Sequence, residues 1–440
     1  MRLTFIQPAI GHRPGERYIR SWQMEPLSIA ALAGLTPPGL EQRFYDDRME
    51  AIPYDEPTGL VAMPVETYTA RRAYQIADAY RQRGVRVVLG GFHASLLPDE
   101  AGKHADAVVV GEAENIWSQV LEDARAGKLQ PRYQGERGDL ANIRIDRGIF
   151  RGKRYLPLGL IETGRGCRFP CEFCAVQTFF GRTYRMRPVD DVIRELRALR
   201  QEKKFFFFVD DNFAGEIRER GELLSELPEL GIRWVTQITI QAAHDETLVA
   251  QMAAGGCKGV LIGFESLNAA NLEIMNKRFN TMQGGFSRAL ANLRRYGISV
   301  YGTFVFGYEH DTEDAFDEAV NFSLEQKMYL AAFNHLVPFP ATALYQRLRQ
   351  AGRLRYDAWW LDARYRFNEL PFIPERMTPE SVSRNCLSAR RRFYEWRNIL
   401  RRSMGNTFDF FMWRNFFLLN ALHRKEVDIR NAHPLGDAEA

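Results

Sequence analysis

Cys167, Cys171 and Cys174 stand four and three residues apart in the segment GRGCRFPCEFCAV. Thiolates at that spacing on one loop can converge on a single centre, and thiolate donors select iron–sulfur clusters, zinc or copper(I). A structural zinc wants a fourth cysteine or histidine close by, but His104, His244 and Cys257 are the next such residues and all are distant in sequence. Three ligands leave one corner of a four-iron cluster open. An open iron can chelate a small molecule and pass it an electron, which a closed structural site cannot do. The remaining cysteines, Cys257 and Cys386, are too far apart for an auxiliary cluster and are expected as core thiols. Such usage points to a reducing compartment, by default the cytoplasm.

The elements that must hold this loop follow from periodicity. The cysteines come directly after a strand at 159–163, the first of a series with strands at 205–210, 234–240, 259–264, 300–306 and 332–337 and helices at 189–199, 246–254, 286–296 and 313–325. Six strand and helix units predict a partial parallel barrel with its chemistry at the carboxyl ends of the strands. An earlier series has strands at 3–7, 43–46, 60–65, 85–89 and 107–110 and helices at 26–35, 69–83 and 115–126, the pattern of a doubly wound sheet. Ligands of such a sheet bind at the carboxyl ends of its strands, where Thr67, Gly90, Gly91, His93, Gly111 and Glu112 lie. The fold class is therefore α/β: a doubly wound Rossmann-like domain over 1–132, a polar linker over 133–157, a partial (β/α)6 TIM-type barrel over 158–345 and a helical region over 346–440.

A chain of 440 residues, 45% hydrophobic and 26% charged, can bury two or three cores, so disorder, collagen and small disulfide scaffolds are excluded. Lys plus Arg number 59 against 55 Asp plus Glu; a net charge of +4 gives no reason to expect a nucleic-acid partner. The start MRLTFIQPA reads as a strand rather than a leader, and no run of eighteen apolar residues suggests a spanning helix. The Phe-rich stretch 408–422 is expected as a terminal helix packed on the body, with a peripheral membrane-surface helix as the second reading.

The pattern C-x-x-x-C-x-x-C, with Phe173 before the last cysteine, resembles the signature of the radical S-adenosylmethionine (SAM) superfamily. The resemblance implies a [4Fe-4S] cluster on Cys167, Cys171 and Cys174 whose open iron takes the amino and carboxylate groups of SAM. Asp210, Asp211 and Asn212 in VDDNF end the second barrel strand, where that family contacts the SAM amino group. Glu265 and Ser266 in GFES end the fourth, near the ribose, and Gly307 in VFGYEHD ends the fifth, near adenine. Taken singly, the aspartates could cap a helix, Glu265 could be a solvated loop residue and Gly307 a turn.

The segments MEPLSIAALAGLTPP and RVVLGGFHASLLPDEAGKHADAVVVGEAE are similar to the cobalamin-binding domain of cobalamin-dependent radical SAM enzymes. Cobalamin is thus implied, with the glycines and polar residues of the first series as its candidate contacts. The string D-x-H-x-x-G that supplies a protein histidine to cobalt is absent. His93 is a candidate axial ligand, but GGxH followed by a Pro-acid pair favours a loop that leads into a helix. The resemblance implies a C-methyltransferase that uses a 5′-deoxyadenosyl radical and methylcobalamin, and Phe179, Phe180 and the Phe-rich tail point to a hydrophobic small-molecule substrate such as a polycyclic lipid or a tetrapyrrole. An external electron donor such as flavodoxin or ferredoxin is implied with it. Cyclisation, oxidation or rearrangement with the same cofactors, and a non-catalytic cobalamin or iron–sulfur sensor, are the alternatives. Sulfur insertion is disfavoured, since no cysteine precedes Cys167. Phe179 and Phe180 are expected on the active-site side, and Arg185 and Arg187 either on an acidic group or in solvent.

Overall fold

The computed structural model describes the chain except residues 142, 216, 282–284, 405–407 and 438–440. Its first sheet is parallel and contains β1 (Arg2–Gln7), β2 (Glu41–Asp46), β3 (Leu60–Pro64), β4 (Arg86–Gly90), β5 (Ala107–Gly111) and β6 (Arg132–Gly135), in the order β2-β1-β3-β4-β5-β6. Helices cover both faces of such a sheet, so its central strands have no polar side: every residue of β3 is buried, as are Val87, Val88 and Leu89 of β4. The strand order turns back at β1, which opens a crevice at the carboxyl edge. One expectation is corrected here. The linker predicted from residue 133 begins later, because Arg132–Gly135 pairs with β5 and buries Tyr133. A polar edge strand of sequence RYQG offers no apolar run to read.

β7 (Gly159–Ile161) begins the second sheet. The hairpin β8 (Gly164–Gly166) and β9 (Tyr184–Met186) follows it before the sheet resumes with β10 (Phe205–Phe208), β11 (Arg233–Ile238), β12 (Cys257–Glu265), β13 (Ser299–Phe306) and β14 (Leu330–His335), all parallel and in chain order. Here burial alternates. In β13, Val300, Phe304 and Phe306 lie under the helices while Tyr301, Thr303 and Val305 point the other way, as a strand rolled around a bore requires. Stacked rings of Phe264, Phe304 and Phe333, 5.5 and 5.6 Å apart, knit three neighbouring strands on the outer side. The helix Ile217–Leu230 was not expected, because Pro228 interrupts its pattern near the end.

The tail is helical as expected, and its regular helices among the described residues are Ala343–Gln350, Pro379–Phe393, Trp396–Ser403 and Phe410–Arg430. The irregular stretch between the first two turns back onto the first domain, where Trp359, Trp360 and Tyr365, with Leu435, share a core with Ile6, Met63, Ile76 and Val87. Trp359 is fully buried and donates from Nε1 to the Pro338 carbonyl at 2.9 Å. The helix Phe410–Arg430 buries Met412, Phe416, Asn420 and Val427 against the barrel, and exposes Phe410, Trp413 and Leu418.

Candidate functional site

The hairpin β8–β9 carries the cysteine loop at its tip. Its base is pinned from the neighbouring strand end, since the Gly166 N–H donates to Asp211 Oδ2 at 2.9 Å. Cys171 is buried and Cys167 and Cys174 are half-buried; none is in a disulfide. Burial raises all three thiols, Cys171 to about 12, and Cys167 and Cys171 both feel the charge of Cys174. Among the described residues no Cys, His, Asp or Glu groups close around one point as a single ion demands. Three thiolate donors on one loop suit a cluster that takes each thiolate on a different iron.

Opposite the cysteines stands Lys277, which the sequence did not reveal. Its ammonium lies 6.0 Å from the centre of the Phe173 ring and 2.7 Å from Glu265 Oε1, and it counters the charge of Cys171 and Cys174. Glu265 reaches this position through a bulge. The register between β12 and β13 slips after Gly263, and Glu265 adopts φ 62, a left-handed conformation unusual for glutamate. Gly263 allows the approach: a Cβ there would sit 2.1 Å from Glu265 Oε1. Asn280 donates to the carbonyls of Gly263 and Phe264 at 3.2 and 3.1 Å and fixes the bulge from behind.

Several expected contacts turn out to be supports. Asp210 is not free for a ligand: it accepts from the N–H and hydroxyl of Thr163, at 2.7 and 2.5 Å, and pairs with the buried Arg220. Ser266 Oγ accepts from the Asn268 N–H at 3.1 Å and is spent on a turn. Gly307 is buried against Leu336, which follows β14, and against Leu370 and Phe372 from the tail, with its N–H donated to Asp311. Asn212 differs. It is buried with both side-chain polar atoms unpartnered, which suits a group bound at the strand end.

The carboxyl edge of the first sheet faces this mouth across a cavity of about 300 Å³. Ala31, Leu32, Met63, Val109, Gly90 and Gly111 give one apolar wall, and Phe179 and Phe180 the other. Gly91 turns the chain at φ 92 with no room for a Cβ, which would come within 2.9 Å of the Val65 nitrogen. Such a slot takes a flat aromatic base and the edge of a larger ring, which fits one end of a cobalamin. Phe92 stacks on Phe179 at 4.4 Å and joins the two walls. Glu66 is exposed to this cleft, and its enclosed setting pushes the carboxyl up to about 7.

Thr67 and His93 do not reach the cavity. His93 is fully buried, with Nδ1 3.2 Å from Thr67 Oγ1 and Nε2 2.9 Å from Glu100 Oε1, so neither nitrogen is available to cobalt. Glu112 lines the cavity but is held by Arg185 and by Arg165, the latter at 3.7 Å, across the domain junction. Arg187 is buried against Glu195 at 2.7 Å. Both TYRMRP arginines are thus internal struts rather than solvated residues.

A three-cysteine loop at a barrel mouth, facing a doubly wound domain across an apolar slot, defines a radical SAM enzyme with an attached cobalamin-type domain. The radical SAM superfamily profile matches residues 161–323. The chain is 30% identical over 412 residues to the bacteriochlorophyllide d C-12(1)-methyltransferase of Chlorobaculum tepidum, covering 91% of this chain and 89% of that one. It is likewise 30% identical over 404 residues to the C-8(2)-methyltransferase of the same organism, with 86% and 88% covered. In fold it matches the radical SAM methyltransferase TsrM of Kitasatospora setae, solved with cobalamin and a [4Fe-4S] cluster bound, with a TM-score of 0.67, 16% identity, and 98% and 100% of the two chains covered. The chain belongs to the cobalamin-dependent radical SAM family, and its cofactors are a [4Fe-4S] cluster, SAM and cobalamin.

Proposed function

We propose that this enzyme methylates a carbon of a tetrapyrrole of the chlorophyllide class, with the cluster on Cys167, Cys171 and Cys174. The reading rests on one observation: two bacteriochlorophyllide d methyltransferases align with it at 30% identity over most of its length. When bound, the cluster supplies an electron to SAM, and cobalamin supplies a transferable methyl group. The protein's part is placement and exclusion of water. Lys277 offsets the charge gathered on the cysteine loop, Asn212 and Asp211 lie at the strand end beside it, and the Phe92, Phe179 and Phe180 rings keep the slot apolar.

The electron comes from a one-electron donor of the flavodoxin or ferredoxin type, and unpaired thiols suit the cytoplasm. A lipid contact is also part of this reading. Among the described residues no helix is long and apolar enough to cross a membrane, but Trp396, Leu400, Met404, Phe410 and Trp413 stand exposed beside Arg397, Arg401 and Arg414.

The experiment is anaerobic reconstitution with iron, sulfide and cobalamin, then reaction of bacteriochlorophyllide d with methyl-labelled SAM and a reductant. Deoxyadenosine together with label on a pigment carbon is expected. Deoxyadenosine with an unlabelled, cyclised or oxidised pigment would remove methyl transfer. Turnover with no pigment, while other apolar compounds become labelled, would remove the tetrapyrrole.

A further inference from the structure

Arg390 projects from the helix Pro379–Phe393 into a cavity of about 180 Å³ beside the barrel's edge strand, together with Tyr301, Asn334, His423 and Arg430. Its side chain is half-buried, and among the described residues only neutral acceptors meet its guanidinium. Nε donates to the Phe333 carbonyl at 2.9 Å, and Nη2 reaches Asn368 Oδ1 at 3.3 Å and Asn334 Oδ1 at 3.5 Å. Nη1 donates to nothing among the described residues, and no carboxylate there pairs with Arg390. Arg187 and Arg220, both buried, each face a carboxylate at close range. A partly desolvated cation in a cavity wall without a counter-ion is stabilised when an anion arrives.

The rest of the wall has the same bias. Arg430 adds a second guanidinium, and the carboxylate beside it, Glu426 at 2.7 Å, also accepts from the N–H and hydroxyl of Ser21. His423 stacks on Tyr394 at 5.4 Å, and burial pushes it down to about 3, so it stands neutral beside the cavity. The cavity runs along β13 and β14 from Tyr301 and Ala331 to Asn334. Trp22 and Phe367 line it from the first domain and the tail, 5.0 Å apart, and give the site an apolar side.

We propose that this cavity is a carboxylate-binding site in which Arg390 holds the acid group of an otherwise apolar substrate by charge-assisted hydrogen bonds. A chlorophyllide, a chlorophyll without its esterifying alcohol, carries one free carboxylate, so the identity of the substrate rests on the function proposed above. The site itself rests on Arg390 alone.

The test compares a chlorin monocarboxylic acid with its methyl ester, using quenching of protein tryptophan fluorescence on the reconstituted enzyme, its Arg390→Met variant and its Arg390→Lys variant. The acid is expected to bind about tenfold or more tightly than the ester, with the gap lost in Arg390→Met and partly kept in Arg390→Lys. Retention of the cluster's visible absorption and of the parent's circular dichroism spectrum in Arg390→Met shows that the variant is folded. Equal binding of acid and ester by the parent enzyme overturns the carboxylate site and leaves the tetrapyrrole reading standing. If neither chlorin binds, the tetrapyrrole reading falls, and dodecanoate against dodecanol decides the site: an acid preference that depends on Arg390 upholds it, and equal or absent binding overturns it.

Discussion

Lys277 Nζ lies 2.7 Å from Glu265 Oε1, and both side chains are buried directly behind the cysteine loop. The pair links a strained strand end to the group that offsets the thiolates, so removal of one partner leaves the other charge buried alone. Lys277→Met is expected to cost about 3–5 kcal/mol of stability in anaerobic urea unfolding. The double variant Lys277→Met, Glu265→Gln should recover more than half of that loss. Equal losses in the single and double variants would show that the two charges do not act as a pair.

The five cysteines divide by environment. Alanine at Cys167, Cys171 or Cys174 is expected to remove bound iron and to lower deoxyadenosine formation by at least about a thousandfold, since a cluster without one thiolate is not held at its mouth. Cys257 and Cys386 are enclosed in the apolar core, and burial pushes each to about 12. Alanine at either position should keep full iron content and lose only about 1–2 kcal/mol from the smaller side chain. Iron analysis and product chromatography on the same preparations separate the two groups.

Both nitrogens of His93 are engaged inside the first domain, by Thr67 and by Glu100, which also accepts from Trp360 Nε1 at 3.1 Å. Cobalt bound in the cleft therefore has no histidine from this position. The electron paramagnetic resonance spectrum of the cob(II)alamin form, recorded on protein with nitrogen-15 histidine, is expected to match that of unlabelled protein. A change in superhyperfine splitting on labelling would show that a histidine reaches the metal.

Much of this arrangement was readable in the chain itself. Three cysteines so close together have few chemical uses, and continuous apolar runs in β3 and β4 against alternation in β13 separate a sheet covered on both faces from a barrel wall. Spacing could not distinguish the residue that meets a ligand from the one that braces it. Asp210 and Asp211 are adjacent, but strand geometry turns the first into the Thr163 and Arg220 network and leaves the second at the cysteine loop. Lys277 was illegible because its role depends on the bulge at Gly263, a register slip that no local pattern encodes. The return of Trp359 and Tyr365 to the first domain was hidden for a similar reason, since irregular chain has no period to follow.

Charge fixes Asp437 against the first domain. Asp437 accepts from His12 at 2.9 Å and pairs with Arg72 at 2.7 Å. The hydrogen bond to Asp437 raises His12 above its ordinary 6.5 and, with Arg72, helps hold Asp437 below its ordinary 3.8. A histidine raised in the folded state stabilises fully below its unfolded value, and that contribution fades as pH rises through the folded one. Both groups are more than a third exposed, so screening limits the effect to about 0.5 kcal/mol. Melting temperatures of the parent and His12→Gln should differ slightly at pH 5.5 and coincide at pH 8.5; a gap that widens with pH would reverse the assignment.

The helices Trp396–Ser403 and Phe410–Arg430 leave Trp396, Leu400, Met404, Phe410, Trp413 and Leu418 in solvent, with Phe410 77% exposed. Isolated surface apolar residues need no explanation, but aromatic anchors interleaved with Arg397, Arg401 and Arg414 match an anionic bilayer surface, where rings enter the headgroup layer and guanidiniums meet phosphate. Flotation with vesicles containing phosphatidylglycerol is expected to carry the enzyme upward at low salt, and much less so with phosphatidylcholine alone. Because each exposed ring contributes on the order of 1–2 kcal/mol when it enters the interface, Phe410→Ser with Trp413→Ser should lower partitioning by at least about tenfold and leave SAM cleavage in solution unchanged. If partitioning falls with added salt but not with loss of the rings, the arginines alone hold the surface, and the apolar face is not what meets the lipid.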